Sequence, residues 1–129
     1  MATGTSTPPV LKLKRSSQSG QKLMSSSYAS VYTEENTSAF FFAGAQIDLT
    51  GMTAADAIDI QLYARMSENG SLVLLDTISY TGARPAGRKV VTIGCLPNIY
   101  GVDIKMRQTS GTLLTIPCEF YDAKRIGVV

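Results

Sequence analysis

The sequence contains no histidine and no tryptophan, and it contains two cysteines, Cys95 and Cys118. Without histidine, the Ser-His and Cys-His nucleophile pairs of many hydrolases cannot form. Two cysteines without histidine also provide too few ligands for a zinc site. Both cysteines fall on the apolar side of predicted strands, which favours buried free thiols. A disulfide between them stays open, because it depends on a Cα separation that sequence does not show.

Long apolar runs are absent as well. The longest, over residues 39–45, is far shorter than the roughly 20 residues that a membrane helix needs. The amino-terminal segment MATGTSTPP is polar and lacks the basic and apolar regions of a secretory signal. We therefore expect a soluble polypeptide that is made in a cytoplasm and carries no secretion signal.

Arrangements of residues that could carry chemistry are scarce. Asp56 and Asp59 are close in the sequence, and so are Glu34 and Glu35, but they flank a strand start and a turn. This placement indicates solvated loop carboxylates and not an acid–base pair or a calcium site. The segment 82–89, GARPAGRK, lacks the Lys-Ser/Thr pair of a phosphate loop and precedes a strand instead of a helix. We expect no enzymatic activity, no cofactor and no metal.

The composition is that of an ordinary globular protein. Of the 129 residues, 44% are apolar. A chain of this length forms one domain and buries roughly two-thirds of its unfolded surface. Val, Ile, Thr, Tyr and Phe are plentiful and helical periodicity is scarce, which favours an all-β class.

The clearest pattern is a hairpin near the end of the chain. Apolar and polar residues alternate over 102–107 and again over 114–121, which predicts two strands with one buried face each. Gly111 lies between them and suits a turn with positive φ. Pro117 cannot donate a ladder hydrogen bond, so we expect its strand at a sheet edge or bulged there.

Similar segments recur along the chain. Residues 57–66 alternate strictly, Asn69-Gly70 predicts a tight turn, and residues 71–80 return with Leu74 and Ile78 on one face. The most apolar strand is predicted over residues 39–49. In this strand, Gly44 suggests a bulge. About eight short strands predict an antiparallel β-sandwich that resembles a jelly roll.

Charge is unevenly distributed along the chain. Residues 1–33 hold four basic residues and no acid, which is +4, and the remainder holds 8 basic and 10 acidic residues, which is −2. Three interpretations of the basic segment stay open: a solvated arm, an arm that docks on an acidic partner surface, and a nucleic-acid-binding arm. The last is disfavoured because few aromatic residues lie among the positive charges.

These patterns divide the chain into two parts. Residues 1–27 form a flexible basic arm with a candidate edge strand at 10–15, and its remainder from residue 16 is a loop. Residues 28–129 form the β-sandwich domain, ending in a tail over 124–129.

Two further features are candidate contacts with a partner. The run of phenylalanines over 40–42 cannot place all its rings on one face, so either both faces are covered or one ring is presented to a partner. Arginines in the segment 82–89 could pair with carboxylates of a neighbour. The candidate partner-contact residues are Lys12, Lys14, Arg15, Phe41, Arg84 and Arg88.

Three segments of the chain, IYG at 99–101, MRQTSGT at 106–112 and IP at 116–117, resemble a known family. They are similar to the closing hairpin of small β-sandwich proteins that decorate or cement the capsids of tailed viruses. The resemblance implies a non-enzymatic protein bound outside a capsid lattice, often as a symmetric oligomer, whose extended arm clamps neighbouring subunits.

From the resemblance we expect a virion component that forms homo-oligomers and whose partners are capsid or other virion subunits. We expect no membrane partner, and the charge pattern disfavours nucleic acid as a partner. The alternative is a carbohydrate- or ligand-binding β-sandwich module of a fibre or adhesin. It would stack sugars on exposed tyrosines, for which the candidates are Tyr63, Tyr80, Tyr100 and Tyr121. The absence of tryptophan and of a calcium loop disfavours this alternative.

Overall fold

A computed structural model of the chain describes residues 11–34, 41–94 and 100–125. These residues contain no helix, and therefore none that could cross a membrane. They form nine strands: β1 (Leu11–Arg15), β2 (Gly20–Leu23), β3 (Ala29–Glu34), β4 (Phe41–Asp48), β5 (Ala57–Arg65), β6 (Leu72–Thr81), β7 (Val90–Ile93), β8 (Val102–Ser110) and β9 (Thr115–Arg125).

The strands form two antiparallel sheets. Sheet A has the order β1-β9-β4-β7, and β2 also pairs with β9. Sheet B has the order β3-β8-β5-β6. Because β1 and β2 lie end to end along β9, the nine strands occupy eight positions.

The pairing of these positions is nested. The position shared by β1 and β2 pairs with β9, β3 with β8, β4 with β7, and β5 with β6. Two more ladders, β4 with β9 and β5 with β8, join the pairs into the two sheets. This is the double Greek-key order of a jelly roll, and it confirms the predicted antiparallel β-sandwich.

One core lies between the sheets, where the alternation of apolar residues places them. The Tyr32 ring packs against Phe42 and Phe120, with both pairs of ring centroids 5.1 Å apart. Its hydroxyl donates a hydrogen bond of 2.5 Å to Asp122, so the polar end of this buried side chain is satisfied. Fully buried residues from both sheets surround this group: Ile47, Ile58, Ile60, Ile104, Met106 and Ile116.

A bulge in β4 determines which of its side chains face the core. The register shifts between Phe42 and Gly44, so Phe42 and Ala45 both point into the core although their positions differ by three, which would place them on opposite faces of a regular strand. A Cβ on Gly44 would lie 3.1 Å from the carbonyl oxygen of Ile93, which is tighter than an ordinary contact. The bulge predicted at Gly44 is confirmed.

A second bulge overturns the predicted faces of β6. Leu74 lies opposite Tyr63 on the outer face of sheet B, whereas Ile78 lies opposite Ile60 on the core side. The register shifts between them because Leu75 is an extra residue. The expectation that Leu74 and Ile78 share a face was wrong, since strict alternation does not anticipate a bulge.

Pro117 is not on an edge strand, as the sequence had suggested. β9 lies inside sheet A, between β4 and the β1–β2 position. Pro117 pairs with Gln21 of β2, one residue beyond the last pair of the β4–β9 ladder, Ile47 with Cys118. The proline therefore lies where the ladder to β4 has ended, and its missing N–H donor interrupts no pair of the described β4–β9 ladder.

Both ends of the described chain are more regular than predicted. The candidate edge strand is present as β1, but residues 16–27, expected to be a loop, contain β2. The predicted tail over 124–129 begins inside β9, which ends at Arg125. The long β9 offers partners to β1 and β2 in turn, and this long-range pairing has no signature in the local sequence. Residues 1–10 of the predicted arm lie outside the described residues.

Candidate subunit-contact surfaces

Three of the candidate contact residues, Lys12, Lys14 and Arg15, lie on β1. Lys14 and Arg15 are exposed. The backbone of Lys12 is described, but its side chain lies outside what the structure describes. Residues expected on a flexible arm are thus held by the ladder to β9.

The same ladder adds basic residues that the sequence analysis had assigned to a tail. Lys12 pairs with Lys124, and Leu11 pairs with Arg125. Residues 11–15 and 121–125 together carry five basic residues and one acidic residue, and we call them the basic edge. Like charges directly opposite each other destabilise a sheet, and a partner of opposite charge would relieve this.

Arg15 of the basic edge forms a well-defined ion pair. Its Nε and one terminal nitrogen donate to the two carboxylate oxygens of Glu119 at 2.7 and 2.9 Å. The contact raises the pKa of Arg15 and lowers the pKa of Glu119. Because both side chains are largely exposed, water and salt screen the pair, and its main effect is to orient the guanidinium.

Phe41 begins β4, where its backbone pairs with Ala123 of β9. Its side chain is outside the described part of the structure. The next residue, Phe42, is fully buried in the core. The face of the sheet that carries Phe42 is therefore covered, as one of the two alternatives expected. That Phe41 presents its ring to a partner stays a prediction.

Arg84 and Arg88 lie in the loop between β6 and β7. The Arg84 guanidinium lies 4.5 Å from the centroid of the Tyr80 ring, and its Nε donates to the carbonyl oxygen of Arg88 at 3.0 Å. These contacts hold Arg84 against its own chain and shape the loop. Arg88 is the more exposed of the two, so it is better placed to meet a carboxylate of a neighbour.

The candidate residues do not form one surface. The β6–β7 loop shares one end of the sandwich with the β4–β5 loop, since Gly82 donates to the carbonyl oxygen of Asp56 and Leu49 to that of Lys89. Phe41 pairs with Ala123 near the carboxyl end of β9, which is the other end. The structure therefore separates Arg84 and Arg88 from the candidates on β1 and β4.

The carboxylate of Asp56 is buried, which corrects the expectation of a solvated loop residue. It accepts hydrogen bonds from the backbone N–H of Thr53 at 2.7 Å, from the Thr53 hydroxyl at 3.0 Å and from the Gln108 amide at 3.3 Å. Gln108 is also buried, and its side chain bonds the backbone of Ser110, Thr112 and Leu114. The cluster ties the β4–β5 loop to the β8–β9 hairpin, so its role is structural.

Asp59 belongs to a polar row on the outer face of sheet B. It accepts hydrogen bonds from Arg107 at 2.9 Å and from Ser79 at 2.7 Å. Partial burial opposes its ionisation, but these donors hold the pKa of Asp59 below its ordinary value. Arg107 also stacks on the ring of Tyr28 at 4.3 Å. These partners show that Asp59, too, is not a freely solvated carboxylate.

The tyrosines of the carbohydrate-binding alternative are dispersed. Tyr63 is on the outer face of sheet B, beneath Lys105. Tyr121 is on sheet A, where its hydroxyl donates to Gln46 at 3.2 Å, and Tyr80 packs against the core. Tyr63, Tyr80 and Tyr121 therefore form no common stacking platform.

The sequence analysis missed an apolar strip along β6. The side chains of Val73, Leu74 and Leu75 are exposed by 45%, 46% and 43%. Met66, at the start of the preceding turn, is 68% exposed. The sequence signal was the uninterrupted run of apolar residues. The edge position of β6 and the bulge at Leu75 leave this run exposed, with Leu74 on the outer face and Val73 opposite the buried Ala64.

Cys118 is a buried free thiol, as predicted, and burial raises its pKa to about 12. Cys95 lies outside the described residues, so its predicted burial stays a prediction. Within the described ranges, no group of three or more potential metal ligands is found.

No protein-family model and no curated protein matches the sequence. Among solved structures, the crystal structure of the infectious bursal disease virus VP2 subviral particle is similar, with 9% sequence identity and a TM-score of 0.53. The match covers 89% of this chain and 32% of the VP2 chain. The chain thus spans about a third of that protein's length.

This likeness concerns the fold. It shows that the two-sheet arrangement is a β fold of the kind found in a viral capsid protein. The finer resemblance to decoration and cement proteins stays a hypothesis.

Proposed function

We propose that the chain is a non-enzymatic structural protein of a virion, of the capsid decoration or cement type. It contacts protein neighbours through its amino-terminal segment and surface loops, and it acts as a homo-oligomer. The jelly-roll order of the described residues, together with the structural similarity to a viral capsid protein, is the observation that supports this best. Jelly rolls recur in viral capsids, although the fold alone also occurs in lectins.

Two surface features support an assembly role. The basic edge concentrates like charges along one side of sheet A, and β6 exposes an apolar strip on sheet B. Exposed apolar patches commonly mark protein interaction sites. Each of these features is costly for an isolated chain and is relieved by a partner.

The location is tested on particles purified by density gradient from cultures that carry the gene. We expect peptides of the chain to co-sediment with intact particles and gold-labelled antibody to decorate their outer surface. A decoration protein is released by mild denaturant while the shells stay closed, whereas loss of the shells would identify a lattice subunit. Absence of the chain from washed particles would contradict a virion role.

A deletion of residues 1–10 tests the amino-terminal segment without removing β1. We expect the shortened chain to fold and to bind particles more weakly than the full chain. Equal incorporation would show that the contact lies elsewhere. The carbohydrate-binding alternative is measured separately on a glycan array, where selective binding would favour it.

A further inference from the structure

The two sheets have four edges, and three of them are short, covered or interrupted. β7 has four residues. The free side of β3 is met by Gln18, whose amide bonds the backbone N–H and carbonyl oxygen of Thr33 at 2.9 and 2.8 Å. The position shared by β1 and β2 is broken at Ser16 and rich in basic residues. Shortness and the contact from Gln18 discourage strand pairing at β7 and β3, and the basic residues of β1 discourage pairing with any edge that is not acidic.

The fourth edge, β6, is different. It has ten residues, contains no lysine or proline, and within the described residues pairs with β5 alone. Residues 68–76, which end the β5–β6 turn and begin β6, contain Glu68 and Asp76 and no basic residue. We call residues 68–76 the acidic edge. It combines negative charge with the exposed Val73, Leu74 and Leu75.

We propose that the acidic edge of one copy of this chain pairs with the basic edge of a second copy, extending sheet B of the first into sheet A of the second. The charges are complementary, because the basic edge carries five basic residues and one acidic residue and the acidic edge carries two acidic residues. Arg15 is already paired with Glu119. The charge reversals below are therefore placed at Lys12 and Lys124. The apolar residues match as well, because Leu13 of the basic edge is 63% exposed and meets the strip on β6. Strand addition would align the outward side of β6 with the outward side of β1.

Charge also excludes the symmetric alternatives. Two acidic edges facing each other would bring Glu68 and Asp76 of one copy against the same two acidic residues of the other. Two basic edges would bring together Lys12 and Lys124, which already face each other within one chain. Like charges in register are destabilising, so pairing between unlike edges is favoured over either two-fold arrangement.

The position of the two edges gives the contact a direction. β1 and β3 begin the strand orders of their sheets, and β6 and β7 end them. The bonds from Gln18 to Thr33 place the β1 side beside β3, across the sandwich from β6. A contact between opposite sides of identical molecules is head-to-tail and builds rings or extended arrays. Since a virion component must repeat its contacts, this pairing rests on the proposed function.

Reciprocal charge reversal tests the pairing. One variant carries Glu68→Lys and Asp76→Lys, and the other carries Lys12→Glu and Lys124→Glu, which keeps like charges opposite each other within the chain. By sedimentation velocity we expect each variant alone to self-associate at least about tenfold more weakly than the wild type. A one-to-one mixture regains association, because the unchanged basic edge of one variant then meets the unchanged acidic edge of the other, and the introduced lysines meet the introduced glutamates.

The control is Thr92→Lys, which adds a lysine at an exposed position of β7 and should associate as the wild type does. Far-ultraviolet circular dichroism verifies that every variant keeps its strands. A wild-type chain that stays monomeric at all concentrations would overturn the proposal. So would a mixture that associates no better than its components, or variants that behave like the wild type.

Cysteine cross-linking provides a second measurement. A Leu13→Cys copy mixed with a Leu74→Cys copy should form a covalent dimer under mild oxidation, identified by the linked peptides. Cross-links within either single variant at the same rate would favour a two-fold contact and overturn the proposal. These solution measurements are independent of particle incorporation, so this pairing can fail while the virion assignment stands.

Discussion

Gly111 and Asp56 show how one residue can hold two distant loops together. Gly111 has a φ of 87°, and a Cβ there would clash with an Asp56 carboxylate oxygen. The lack of a side chain at Gly111 therefore permits the positive φ of the turn and leaves room for the buried carboxylate of Asp56. Local sequence predicts the turn, but the approach of Asp56 is visible only in the fold.

We expect Gly111→Ala to lower the free energy of unfolding by about 3 kcal/mol, combining backbone strain with a clash against a buried carboxylate. Gly82→Ala is the matched control. Its φ of 79° is similarly positive, but nothing lies within 4 Å of the added Cβ. It should lose about 1 kcal/mol from backbone strain alone. Urea unfolding measures both values, and equal losses would show that the clash with Asp56 is relieved.

Cys118 links burial to pH dependence. Its thiol ionises at about 12 in the folded chain, compared with 9.0 for an exposed thiol, because burial disfavours the thiolate. Stability from the neutral thiol is fully present below the unfolded pKa and is lost as pH rises toward the folded one. In that window each pH unit removes up to about 1.4 kcal/mol from the free energy of unfolding.

We therefore expect Cys118→Ala to lose less stability than the wild type between neutral and alkaline pH, although it is less stable at neutral pH. Ile116→Ala is the control, since Ile116 is an equally buried neighbour on the same strand and does not titrate. It should keep the wild-type pH slope. Parallel slopes for all three proteins in urea titrations would contradict the assignment to Cys118. Tyr32, whose pKa is also raised by burial, contributes to the slope that remains.

At the scale of elements, β9 organises sheet A. Its eleven residues pair with β2 and then β1 on one side and with β4 on the other. The bend between β1 and β2 carries Ser16, Ser19 and Gln18 back onto the sheets. Ser16 and Ser19 bond the backbone of Phe120, while Gln18 bonds Thr33 in the opposite sheet.

We expect Gln18→Ala to cost about 1 to 2 kcal/mol, because it leaves the N–H and carbonyl oxygen of Thr33 without their side-chain partner. The Thr33 amide should also exchange its hydrogen faster. Gln21→Ala is the control, since Gln21 is an exposed glutamine on the neighbouring strand. Equal stability and equal exchange in the two variants would mean that water replaces Gln18 without loss.

Most strands could be predicted, because alternation over residues such as 57–65 and 102–107 survives into the fold. Bulges limited the prediction of faces. The bulge at Gly44 carried a glycine as its signal, whereas the bulge at Leu75 lies in a run of leucines that any register would accept. The exposed strip on β6 was missed for this reason.

At the scale of the whole molecule, nesting joins the two ends of the chain. β1 pairs with the last described strand, and each later strand pairs further inward. Such long-range pairing is expected to slow folding, since loops must close before contacts form. It also builds the basic edge, in which Lys12 and Lys124 come from opposite ends of the sequence.

The candidate contact residues divide according to what their side chains already bind. Arg84 and Arg15 are held by contacts within the chain, on Tyr80 and Glu119. Arg88 is exposed. The sequence identifies a side chain as a cation, but its contacts within the chain decide whether its hydrogen-bond donors are available to a neighbouring molecule.

The sequence by itself determined the class of this protein. Period-two alternation, turn residues and the lack of helical periodicity define strands locally, because each depends on neighbours a few residues away. The tertiary structure alone decided which strands are edges, where the cations gather and which apolar residues face outward. Those properties depend on pairing between residues far apart in the chain, and in a sheet a shift of one residue reverses the face of every side chain that follows.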